Sequence, residues 1–194
     1  MFDLHLIHAI RNLIKYFNSN QATFNICFSD VSSAMRTKYY ARLNELVNLL
    51  QFDIAFTKKT ESFPLITITL NQSEADTDTM LGNTGHAGRL VMFTNQECRV
   101  NIYSKNMDDI RILHNLILHG LLLFKSSFFD TNYLDLRYIQ SNDLDPIDTL
   151  TSDNAAVYQR QMIYNSTKQI EITQIPSGPV FDLPWELDAT IIQN

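Results

Sequence analysis

The sequence predicts an α/β chain of the α+β kind: a mixed or mostly antiparallel sheet with helices packed on it, plus an extended C-terminal arm. Three observations carry this. Residues 2–17 and 107–128 hold apolar side chains at three- and four-residue spacing, the signature of helices with a buried face. Residues 65–70, 98–103, 134–140 and 157–164 instead alternate, as half-buried strands do. Beyond Ile175-Pro176-Ser177-Gly178-Pro179 neither period continues. The chain has 194 residues, which suits one domain, taken as 1–174, and an arm, 175–194.

The elements follow in order. In 2–17, Leu4, Ile7, Ile10, Ile14 and Phe17 form the expected stripe. Thr23 to Phe28 reads as a short strand. After the N-cap residues Asp30, Ser32 and Ser33, a helix over 33–50 places Met35, Tyr39, Leu43, Leu46, Val47 and Leu50 on one side. Phe52 to Phe56 is a further strand, so 23–56 has the look of an inserted strand–helix–strand piece. Ile66, Ile68 and Leu70 alternate with Thr67 and Thr69. Residues 71–88 are a polar loop, followed by strands over 89–93 and 98–103. The helix over 107–128 is the most apolar, with Leu116, Leu118, Leu122, Leu123 and Phe128 widening its stripe and Asp108 and Asp109 at its dipole-favourable start. A strand over 134–140 leads into a turn-rich connection, 141–155, and then a long strand or bent pair, 157–172.

Composition narrows the function. A net charge of −6 argues against a broad nucleic-acid grip, which needs clustered Lys and Arg. No apolar run reaches the roughly 18 residues of a membrane span, and the start of the chain lacks a signal-peptide pattern. The two cysteines, Cys27 and Cys98, imply no disulfide scaffold; Cys98 faces inward on its strand, as an inert core thiol does.

Catalytic and metal-ligating patterns are thin. His114 and His119 lie about 140° apart around a helix, too far to share a metal. Gly82, Gly85 and Gly88 sit between strands, without the ending of a phosphate-binding loop. Glu74, Asp76 and Asp78 alternate like calcium ligands but lack the glycine and glutamate that such a loop requires. Asp143, Asp145 and Asp148 surround Pro146 and suit a turn as well as a divalent ion. No catalytic, cofactor or metal residue is therefore assigned.

The order of elements resembles that of the tail terminator family of tailed bacteriophages and related head-to-tail joining proteins. The residues that carry the resemblance are the strand entry at Phe63-Pro64, the polar hairpin before Val100-Asn101-Ile102-Tyr103, and the aromatic-polar strand Val157-Tyr158-Gln159-Arg160-Gln161-Met162. It spans residues 1–20 and 60–172; the piece 23–56 and the arm are additional. The resemblance implies a non-enzymatic virion protein of the neck or tail, made in the host cytoplasm and needing no cofactor. It would form a ring, expected to be hexameric, that joins the tail to the head, contacts neighbouring ring proteins and lets DNA pass without binding it. On that reading Phe181, Leu183 and Trp185 of the arm, with Tyr158 and Arg160, are interface candidates. Glu74, Asp76 and Asp78 would line the channel or face the adjacent ring. Two other readings stand beside it: a protein-binding module without a ring, using a sheet edge or the arm, and a divalent-metal enzyme built on Asp143, Asp145 and Asp148.

Overall fold

The structure, a computed structural model, describes residues 2–53, 62–71, 90–125, 133–147 and 156–172. Its element order is α1 (Phe2–Ser19), α2 (Gln21–Cys27), α3 (Ser33–Leu49), β1 (Gln51–Asp53), β2 (Leu65–Asn71), β3 (Leu90–Ser104), α4 (Met107–Leu123), β4 (Tyr133–Ile147) and β5 (Val157–Ile172). The strands form one sheet in the order β1-β2-β3-β5-β4, with β1 parallel to β2 and every other pairing antiparallel. This is the α+β class with the mixed sheet that the sequence predicts.

Strand parity decides where the core sits. Ile66 and Ile68 of β2, Cys98, Val100 and Ile102 of β3, and Met162 and Tyr164 of β5 share one face. They are buried in one cluster with α1, α2, α3 and α4. A smaller cluster of Leu65, Tyr103 and Val157, with Phe63 against it, has the opposite parity. The helices thus cover one side of the sheet. On the other side Thr67, Asn101 and Gln161 stand opposite one another across β2, β3 and β5. Asn101 donates to Thr67 Oγ1 (3.4 Å), and Gln161 donates to Asn101 Oδ1 (2.9 Å). That polar rung keeps Thr67 and Asn101 satisfied although both are buried.

Several elements differ from the sequence reading. Thr23 to Phe28 is not a strand but lies in and just after α2. Its alternation of Phe24, Ile26 and Phe28 is misleading: Phe24, Cys27 and Phe28 are buried at helical spacing, and Ile26 is 67% exposed. Asn20 caps the helix by accepting from the Thr23 amide (3.2 Å). The buried stripe of α1 is Leu6, Ile10, Leu13, Ile14 and Phe17, whereas Leu4 is exposed. Residues 89–93 and 98–103 belong to one strand, because β3 pairs with β5 without a break from Leu90↔Ile172 to Ser104↔Tyr158. The same pairing makes β5 a single strand and not a bent pair. β4 runs on through Ile147, into the stretch read as turn-rich. Pro146 falls inside the register shift between Leu144 and Ile147, the kind of position at which a sheet accepts proline. α4 ends at Leu123, so Leu122 and Leu123 are exposed past the buried stripe. The strand read over 52–56 is described as Gln51–Asp53; residues 54–56 lie outside the described residues.

α4 is held at its start by ions. Asn106 caps it, accepting from the Asp108 amide (2.9 Å). Asp109, buried, accepts from Arg42 Nε (2.7 Å) and Nη2 (2.9 Å) and from Ser104 Oγ (3.1 Å). Lys38 donates to Asp108 (2.9 Å). These bonds tie α3 and β3 to one helix end, and the Asp109 carboxylate holds the Arg42 guanidinium further into its charged form. Farther along, Gly120 lets α1 come close: a Cβ there would sit 3.0 and 3.2 Å from the Leu13 methyls and 3.1 Å from the Phe17 ring.

Two stability outcomes follow, each read by thermal and chemical denaturation. Gly120→Val is expected to destabilise the fold by about 1–3 kcal/mol, by wedging α1 from α4. Asp109→Ala is expected to cost roughly 2–3 kcal/mol, less than a fully buried pair because Arg42 is 31% exposed. An unchanged midpoint in either variant would refute the corresponding packing account.

Candidate functional site

The sequence candidates fall in different places. Glu74, Asp76 and Asp78 lie outside the described residues, as do Gly82, Gly85 and Gly88, Asp148, and Phe181, Leu183 and Trp185 of the arm. Tyr158 and Arg160 are on the helix side of β5. Tyr158 is half-buried against the main core. Arg160 is committed to Asp143 across the β4–β5 pair, donating through Nε (2.5 Å) and Nη2 (2.7 Å). The two groups stabilise each other's charge: the guanidinium lowers the Asp143 pKa and the carboxylate raises that of Arg160. Asp143 is thereby neutralised by a cation. Among the described residues no three His, Cys, Asp or Glu side chains gather as a metal site.

A polar cluster that sequence reasoning missed surrounds this pair. His114 on α4 points to the edge strand β4, with Nε2 at 2.8 Å from Ser141 Oγ. Its Nδ1 lies 3.1 Å from Asn115 Oδ1, and Tyr138 Oη is 2.7 Å from the same Ser141 Oγ. Only an extended β4 brings Ser141 under α4, and residues 141–155 carry the Asn, Asp and Pro that signal turns. The usable signal was parity: Ser141 and Asp143 share a face with Met162 and Arg160.

Burial is the main force on His114 and holds its pKa below the usual 6.5. The hydrogen bond to Asn115 and the Asp143 charge oppose that shift, while Arg160 and His119 add to it. A neutral imidazole 2.8 Å from a serine has the reach of a nucleophile–base pair. Such a pair also needs donors aimed at a developing oxyanion. Here the phenol is already bonded to Ser141 and the guanidinium is already chelated by Asp143. The arrangement suits fastening the edge strand to α4. An open cleft of about 320 Å³ lies apart from it, lined by Lys38, Tyr39, Ala41, Arg42, Glu45, Asn106 and Asp108. Both cysteines are buried, and burial pushes the Cys27 thiol up to about 11, in keeping with an inert thiol.

The depressed His114 pKa sets the sign of a pH effect. The unfolded chain takes up a proton near pH 6.5 that the folded chain resists. The contribution is complete above that pH and is lost as pH falls toward the folded pKa. The melting temperature is expected to drop from about pH 7 to about pH 5, with a smaller drop in His114→Gln. Equal slopes for the two proteins would remove His114 from the account.

Comparison with known proteins adds a finding that geometry alone does not. Residues 82–175 match a family described as "Phage termination protein". No curated protein matches the chain. The matched stretch contains β3, α4, β4 and β5, and with them the His114–Ser141 and Asp143–Arg160 contacts. Over these four elements the chain is similar to the phage termination proteins, in line with the bacteriophage terminator resemblance read from the order of its elements.

Proposed function

We propose that the chain is a structural virion protein at the tail end or neck of a bacteriophage, where copies assemble into a ring that joins tail to head. The observation that carries this reading is the termination-protein match over β3, α4, β4 and β5. The rest of the chain is compatible with it in charge. At −6 overall, the protein offers little to trap a passing phosphate backbone, which suits a ring through which DNA moves unheld. The role is architectural and uses no cofactor. No described helix is long and apolar enough to cross a membrane.

In the assembly, the arm with Phe181, Leu183 and Trp185 serves as a contact between subunits, since aromatic anchors dominate interface energies. The loop carrying Glu74, Asp76 and Asp78 faces the channel or the adjacent ring. The neighbours are other ring proteins of the neck and tail.

Light scattering and negative-stain imaging over a concentration series test the reading. Rings, hexameric on the terminator resemblance, are the expected result. A monomer at every concentration, alone and with purified tail tubes, would overturn it. Deletion of residues 175–194 is expected to lower the assembled fraction while leaving the melting temperature of the dissociated chain in place. A truncated chain that is unfolded would contradict the assignment of the arm to assembly.

A further inference from the structure

We infer that the long outer edge of β4 receives residues 180–188 of a neighbouring copy as an added strand. The inference rests on the ring reading above and names the contact that would build the ring.

β4 ends the sheet, and among the described residues β5 is its sole strand partner. An edge of 15 residues offers a row of backbone donors and acceptors to another strand. The opposite edge, β1, is described over Gln51–Asp53. Along β4 the stretch Leu136–Ser141 presents an apolar feature: Ile139, at the register shift between Tyr138 and Gln140, is 45% exposed.

α4 reaches this edge through His114. Its start lies at the Ser104 end of β3, through the Asp109 bond, and Ser104 pairs with Tyr158 beside the Leu144 end of β4. The helix therefore runs from that end toward Tyr133, passing Ser141 at His114. Four and eight residues beyond His114 come Leu118 and Leu122, about 40° and 80° around the axis and, for Leu122, about 12 Å farther along. Leu122 is 54% exposed. That rotation carries Leu122 away from the buried stripe of Ile117, Gly120 and Leu121 and onto the outer side of α4, so the exposed apolar residue offered beside this part of the edge is Ile139.

The occupant is written in the sequence. Phe181, Leu183, Trp185 and Leu187 alternate with Asp182, Pro184, Glu186 and Asp188, the period of a strand with one buried face. Pro184 removes one donor, which an edge strand tolerates. A neighbouring copy suits the edge better than the chain's own arm. β5 ends at Ile172 running antiparallel to β4, so its own continuation, doubling back, would lie parallel to β4, the weaker pairing. A neighbour can present the segment antiparallel. An arm from one copy on the edge of the next is a heterologous contact, which closes into a ring when the rotation allows.

Cross-linking tests the contact in the full-length chain. Leu183→Cys chains are mixed with Ile139→Cys chains, assembled, and treated with a short bismaleimide; Cys27 and Cys98 are buried and act as silent background. The expected product is a covalent dimer of the mixed chains, and a ladder of multimers from the chain carrying both substitutions. Cross-links confined within single chains would place the arm on its own edge and overturn the proposal. Rings that form without either cross-link would overturn it while sparing the ring reading. Monomers at all concentrations would overturn both. In parallel, Ile139→Glu is expected to weaken assembly at least about tenfold, with no further loss on deleting 175–194, because both changes remove one contact. Additive losses would show that the arm binds elsewhere. Circular dichroism melts confirm that the substituted chain keeps its fold.

Discussion

The placement of α4 is the constraint on which the rest depends. It is the helix that touches α1, α2 and α3 as well as β3 and β5, and eight of its residues are buried. Such contact requires two things at once. One is a close approach to α1, which Gly120 permits by leaving room for Leu13 and Phe17. The other is a satisfied helix start, which Asn106, Ser104 and Arg42 provide around Asp108 and Asp109. An apolar rod without those fittings would have many ways to lie on a sheet. The ion pair and the glycine together choose one, which is how a polar group can specify an arrangement that burial stabilises.

Once α4 is in place, the sheet has two different faces. The helix side is apolar under most of the helix layer and is polar in two places, at the start of α4, where Ser104 and Arg42 bond Asp109, and toward the edge, where His114 and Tyr138 meet Ser141 and Arg160 pairs with Asp143. The opposite face carries the amide and hydroxyl rung of Thr67, Asn101 and Gln161. The strands β3, β4 and β5 are 15, 15 and 16 residues long, and among the described residues β4 borders β5 alone. The termination-protein match covers the same three strands together with α4.

Several parts of this were legible in the residues. The periods of 2–17, 33–50 and 107–128 gave helices, and the alternation at 65–70 and 98–103 gave strands with Ile66, Ile68, Cys98, Val100 and Ile102 inward. Asp108 and Asp109 marked a helix start, although their pairing with Lys38 and Arg42 was invisible, since about 70 residues of chain separate the partners. The short segment Thr23–Phe28 was misread because six residues satisfy both periods, and the choice fell to Ile26, which solvent takes and the core does not. The Ser141 contact was hidden for a related reason: Asn, Asp and Pro announce a turn locally, but a long partner strand can hold them in register at an edge.

The sequence by itself determined the local periods, the fold class and the order of elements, because side-chain spacing is set by backbone geometry that every chain shares. From that order came the bacteriophage terminator resemblance. Only the tertiary structure decided the strand order, the unbroken length of β3 and β5, the extension of β4 past Asn142, and the meeting of His114 with Ser141. These depend on which distant segments pair. Pairing is decided by the summed burial and hydrogen bonding of both partners, a quantity that neither segment carries alone.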